Sequence, residues 1–143
     1  MILSLIALLS AALFTGAAFY ITLVEHPARL FLEDEALLRQ WQPSYKRALP
    51  IQSGLAVIGG LAGLLAGNLS TDLCSVVGGL VLLANWPFTV VAIFPVNKRL
   101  MALGPRDADA GSRAMLLRWG RLHGVRSVLG AAAMLLFAVP FLQ

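Results

Sequence analysis

Cysteine occurs once in the 143 residues, as Cys74. An intramolecular disulfide is therefore excluded, and a lone thiol in an apolar stretch reads as a buried, inert side chain. Charge is also scarce: 13% of residues are charged against 59% hydrophobic, far from average soluble usage. The motifs of several common chemistries are missing. There is no phosphate loop, no Gly-x-Ser-x-Gly elbow, no Cys-x-x-Cys and no His-Glu-x-x-His. Two histidines without cysteines or a tight carboxylate cluster make a poor zinc site.

The few charges are placed unevenly. All eleven Lys and Arg fall in two windows, Arg29–Arg47 and Lys98–Arg126. Around them lie four apolar blocks, Met1–Val24, Ala48–Gly67, Leu73–Val96 and Val125–Leu142, none with a charge in its middle. A bilayer core about 30 Å thick needs roughly 20 apolar residues of helix, which is the length of each block. Cytoplasmic loops collect Lys and Arg. The expectation is an all-α, integral-membrane four-helix up-down bundle, N-out/C-out, in a bacterial inner membrane, with both basic windows cytoplasmic. A single domain, 1–143, is expected, with spans at about 1–25, 48–67, 73–96 and 113–142, the last including a cytoplasmic extension. Met1–Val24 lacks the basic start and short apolar core of a secretory signal and reads as a retained first helix. The net charge of +4 sits beside membrane spans, where orientation and anionic lipid explain it, so nucleic acid is not an expected partner.

Spacing adds detail. Ser4, Leu8, Ala11, Thr15, Phe19, Thr22 and His26 recur at steps of three and four and share one face of the first helix, turned inward. Leu30, Phe31, Leu37, Leu38 and Trp41 predict a short interfacial helix between spans 1 and 2. Gly59, Gly63 and Gly67 form a small-residue stripe that serves close packing, within the bundle rather than across a homo-oligomer. Asn85, Pro87 and Thr89 interrupt the third span, where a proline-freed carbonyl must be satisfied inside the protein. Ser112 is the expected N-cap of the last helix, on which Trp119, Leu122, His123 and Arg126 share a face.

The polar residues gather at one depth. His26 closes helix one, Tyr45, Arg47 and Gln52 open helix two, Asn97 closes helix three, and Trp119, His123 and Arg126 open helix four. Asn85 lies about 18 Å deeper than Asn97 at 1.5 Å per residue. Together they outline a polar pocket at the cytoplasmic end. Each also has a plainer reading: rim hydrogen bonding for the histidines, an aromatic belt for Trp119 and Tyr45, snorkelling for Arg47 and Arg126, and repair of the Pro87 kink for Asn85.

Five segments in order resemble a known family: Leu23-Val24-Glu25-His26-Pro27-Ala28-Arg29; Trp41-x-Pro43-Ser44-Tyr45-Lys46-Arg47; Asn85-Trp86-Pro87-Phe88-Thr89; Pro95-x-Asn97; and Leu117-Arg118-Trp119-x-x-Leu122-His123-x-x-Arg126. They are similar to the anthrone-oxygenase-like membrane proteins and cover nearly the whole chain. The resemblance implies a four-helix membrane protein and, for some fungal members, oxidation of an anthrone to an anthraquinone by dioxygen without an obvious flavin or haem motif. An acidic C–H on an aromatic ketone, once deprotonated, gives an enolate able to react with dioxygen. His123 or His26 is suited to be the base, and Arg126 or Arg47 to hold the enolate oxygen. Trp119, Tyr45 and Phe88 are suited to stack on a flat substrate, and Asn85, Asn97 and Gln52 to hydrogen-bond it. The expected partners are the bilayer and a lipophilic aromatic or quinone-like molecule, with no cofactor. The alternatives are a non-enzymatic binder or transporter component, and a haem or copper protein ligated by His26 and His123.

Overall fold

A computed structural model describes residues 1–142. Four helices are long and apolar enough to cross a bilayer: α1 (Ile2–Arg29), α2 (Asp34–Ser70), α3 (Leu73–Ala102) and α4 (Ala110–Phe141). The described residues contain no strand. Neighbours in sequence pack side by side, α1 on α2, α2 on α3 and α3 on α4, and α4 returns to α1, closing an up-down bundle.

The helix ends follow from local chemistry. Between α2 and α3 the chain turns through Thr71, whose φ of 55° is left-handed. The Asp72 carboxylate then accepts from the N–H groups of Cys74 and Ser75 at 3.2 and 3.0 Å, capping α3. The cap of α4 is Asp109, not Ser112. Asp109 accepts from the Ser112 N–H at 2.8 Å while the Ser112 hydroxyl accepts from the Asp109 N–H at 2.9 Å. The reciprocal pair satisfies two otherwise orphaned donors, which a serine cap alone cannot do.

The amphipathic segment between the first two spans is helical but is no separate interfacial element. It is the first part of α2, which runs unbroken through Pro43 and Pro50. Leu37, Leu38 and Trp41 are fully buried against Leu100, Leu116 and Trp119, because α3 and α4 extend just as far and cover them. Trp41 is therefore a core residue, not a head-group anchor. Phe19, placed by its spacing on the inner face of α1, is exposed. The buried stripe there runs through Ala7, Ala11, Phe14, Thr15 and Ala18.

The glycine stripe serves the bundle. A methyl group on Gly59 would strike Leu82 and Ser10, and on Gly67 it would strike Val76. Gly60 and Gly79 bring α2 and α3 into backbone contact, since a Cβ on Gly79 would lie 2.8 Å from the Gly60 carbonyl oxygen. At the other end of the same pair, the Gln42 amide donates to the carbonyls of Leu100 and Leu103, both at 2.9 Å, and ties α2 to the last turn of α3.

Two π turns shape the spans. Ile21–Glu25 in α1 precedes Pro27, and Thr89–Ile93 in α3 precedes Pro95. In each, the hydrogen-bond ladder shifts to longer spacing just before the position where proline has no N–H to give. Residues four apart drift by about 40° per step around a regular α-helix. The wide turn takes up that drift, so Asn85, Thr89, Ile93 and Asn97 stay on one side of α3.

Gly79→Val should lower the melting temperature in detergent, at a cost of about 1–3 kcal/mol, because its branches meet backbone rather than a movable side chain. Gly54→Ala, at a position with nothing within 4 Å, should melt no lower than the parent.

Candidate functional site

The polar residues of the four helices meet at the end of the bundle that carries the basic windows. A small chamber of about 20 Å³ is lined by Arg29, Gln52, Asn97, Trp119, His123 and Arg126, among others. A larger cavity of about 220 Å³ adjoins it, between α2 and α3, with Ser53, Ala56, Asn85, Trp86 and Val90 in its walls. Tyr45, Leu49, Thr89 and Arg126 belong to both. The chamber has room for about one water-sized molecule.

α4 supplies Trp119, His123 and Arg126 at steps of four and three, on one face. α1 supplies Thr22, and the two hydroxyls and the imidazole form a hydrogen-bonded chain. Thr22 Oγ1 lies 2.9 Å from Ser127 Oγ and 3.1 Å from His123 Nδ1, and Ser127 Oγ also reaches the His123 carbonyl at 3.4 Å. The chain engages Nδ1 and leaves Nε2 without a hydrogen bond to a described residue. His123 is 2% exposed.

Arg126 is 8% exposed and forms no ion pair with a described residue. Its guanidinium lies over the Phe14 ring, 5.5 Å from the centroid. A buried cation without a counter-charge is costly, and a cavity wall is where a ligand can supply one. Six further buried polar atoms around the cavities lack a hydrogen-bond partner: Arg29 Nε, Gln52 Nε2, Asn85 Oδ1, Thr89 Oγ1, Asn97 Oδ1 and Trp119 Nε1. Buried polar groups are normally satisfied. Asn85 also donates to the Leu82 carbonyl at 3.0 Å, inside its own helix.

The arginine that joins Arg126 is Arg29, which the sequence did not single out. It is buried and paired with Glu25, four residues earlier. Glu25 is further held by Ser44 at 2.7 Å and Gln40 at 3.1 Å. The four-residue spacing of Glu25 and Arg29 was the available signal. Arg47 is exposed and away from both cavities. It lies two positions from Tyr45, roughly 200° around the helix, so equal depth did not mean equal facing. Phe88 is half-buried and packs in the neighbouring apolar cluster, outside both cavity walls.

His26 reaches the site's edge but not its cavities. Its ring packs on Trp119 at 5.3 Å between centroids, and Trp119 in turn stacks on His123 at 4.9 Å. The other side of the imidazole lies against Gly120, where any Cβ would collide with the ring. Neither His26 nitrogen makes a hydrogen bond of good geometry, although the Leu116 carbonyl is within reach. Gly120 is thus the residue that makes room for this imidazole. The two histidines share an indole between them, and this packing offers no open face common to both for the haem or copper considered above. The described residues hold no group of three or more His, Cys, Asp or Glu placed to bind a metal.

The two arginines should respond oppositely to removal of charge. Arg29→Met strands Glu25 and should destabilise the fold by roughly 3 kcal/mol. Arg126→Met relieves an unpaired buried cation and should leave the melting temperature unchanged or higher, as read by thermal denaturation in detergent.

An anthrone oxygenase from Claviceps purpurea (strain 20.1) is 28% identical, over 89% of this chain and 81% of its own length. No solved structure matches the chain. The family model described as anthrone oxygenase matches residues 41–136, which carry Tyr45, Gln52, Asn85, Asn97, Trp119, His123 and Arg126. The chain belongs to the anthrone oxygenase family.

Proposed function

We propose that this protein is a membrane-embedded oxygenase that converts the acidic CH₂ of a flat, lipophilic aromatic ketone of the anthrone class into a second carbonyl, with dioxygen as oxidant. The supporting observation is Arg126: a buried, unpaired cation shared by an apolar cavity and by the chamber that His123 lines.

His123 Nε2 takes a proton from the CH₂, directly or through one water in the chamber. The electron pair moves into the ring system and onto the ketone oxygen, where Arg126 stabilises the enolate. The enolate passes an electron to dioxygen, and the two radicals combine as a C–O bond to give a peroxide anion. That anion takes back the proton held by His123. Loss of the second C–H proton breaks the O–O bond, forms the new C=O and releases hydroxide, which the proton converts to water. One substrate and one dioxygen give one quinone and one water. Tyr45 and Trp119 flank the ring system, and the Thr22–Ser127 chain holds the imidazole through Nδ1, leaving Nε2 to act as the base. With the basic windows in the cytoplasm, as their Lys and Arg content favours, the site lies near the cytoplasmic face.

Detergent-purified protein should take up dioxygen in proportion to added anthrone, one mole per mole. His123→Ala should abolish that uptake while the protein stays folded by circular dichroism; unchanged turnover would remove His123 as the base. Thr22→Val should lower kcat by about tenfold or more, since the imidazole loses its orienting partner, with KM little changed.

A further inference from the structure

The 220 Å³ cavity has a mouth, and the residues around it show which medium it opens to. Trp86, Val90 and Phe94 line the cavity and are 46%, 54% and 54% exposed. All three fall within the uncharged block Leu73–Val96, so their exposed surface faces acyl chains rather than water.

The opening is a framed gap in the bundle wall. Along Leu73–Leu83, α3 lies tightly against α2 through Gly60 and Gly79. From Asn85 onward it parts from α2: a turn at Ala84, Pro87 and the π turn Thr89–Ile93 redirect it. On the α2 side the wall is made by Tyr45 and Leu49 and, deeper in the span, by the small Ser53 and Ala56. Beyond the gap, the Gln42 bonds to Leu100 and Leu103 draw the helices together again. The wall is therefore closed above and below, and open between. At the back stand Arg126 from α4 and Asn85, whose Oδ1 is unpartnered.

We infer that this gap between α2 and α3 is a lateral window, through which a planar aromatic ketone passes from the hydrocarbon of the bilayer to Arg126, and through which the product leaves. The inference rests on the oxygenase reading for the identity of the ligand. The cavity is small against the roughly 300–1,000 Å³ of drug-sized sites. It suits a flat molecule of a few fused rings better than a branched or chain-like lipid. The apolar rim admits such a molecule without desolvating any charge. The polar groups at the back then orient its oxygen.

The test is thiol labelling in proteoliposomes, using Ser53→Cys in a Cys74→Ser background. Anthraquinone serves as a flat ligand that is already oxidised. A lipophilic maleimide should modify the introduced thiol quickly, a charged, membrane-impermeant reagent of similar size should react slowly even in permeabilised vesicles, and anthraquinone should protect. Val90→Phe, at the mouth, should slow the lipophilic reaction several-fold. Val91→Phe, one residue away and outside the cavity wall, should not. Leu49→Cys, also in the wall, replaces the first variant if that one does not fold. Equal or faster labelling by the charged reagent would overturn the window, as would no labelling at either position. Protection by anthraquinone without anthrone-dependent oxygen uptake would sink the oxygenase reading and keep the window. Oxygen uptake with labelling only from water would do the reverse.

Discussion

A proline in a membrane span withholds an N–H from a place where no water can replace it. At Pro27 and Pro95 this protein meets that constraint with a π turn immediately upstream, whereas Pro50 sits in an unbroken helix and Pro87 follows the turn at Ala84. The rest of the site depends on those turns. In α1 the turn sets His26 and Arg29 inward below Thr22. In α3 it keeps Asn85, Thr89 and Asn97 on one side. π turns recur at functional sites because they rephase side chains without ending the helix.

Much of this was legible in the sequence, and the reasons differ by residue. The four spans follow from the length of the apolar blocks and the confinement of Lys and Arg. Shared depth is legible because helix rise is uniform, and Tyr45, Gln52, Asn97, Trp119, His123 and Arg126 line one chamber. Facing is harder to read than depth. Arg47 lies near the right level but points outward, whereas Arg29 turns inward after an irregular turn that periodicity does not reveal. Trp41 has the composition of an interfacial anchor. It is buried because α3 and α4 extend beside it, and that length is set by pairing between helices rather than by local pattern.

Stability and function pull against each other around Arg126. The unpartnered polar atoms of Gln52, Asn85, Thr89, Asn97 and Trp119 are each unfavourable in an apolar setting. The fold carries them because its remaining contacts are dense. Glycines at 60 and 79 let backbones touch, and Glu25 holds Arg29 with help from Ser44 and Gln40. One arginine has a carboxylate beside it and the other does not, although both border the same chamber.

The Arg113 side chain reaches from the first turn of α4 to the carbonyl of Leu30 at 2.9 Å, to that of Leu32, and to Asp34. It therefore closes the turn between α1 and α2, a segment made some eighty residues earlier in the chain. During synthesis the first three spans must wait for it. Until α4 inserts, Thr15, Thr22 and the flank of α1 that α4 will cover face lipid, and neither the chamber nor the imidazole exists. The chamber is thus completed only when α4 packs against α1. A protein arrested one helix short would lack Trp119, His123 and Arg126, and with them one wall of the chamber.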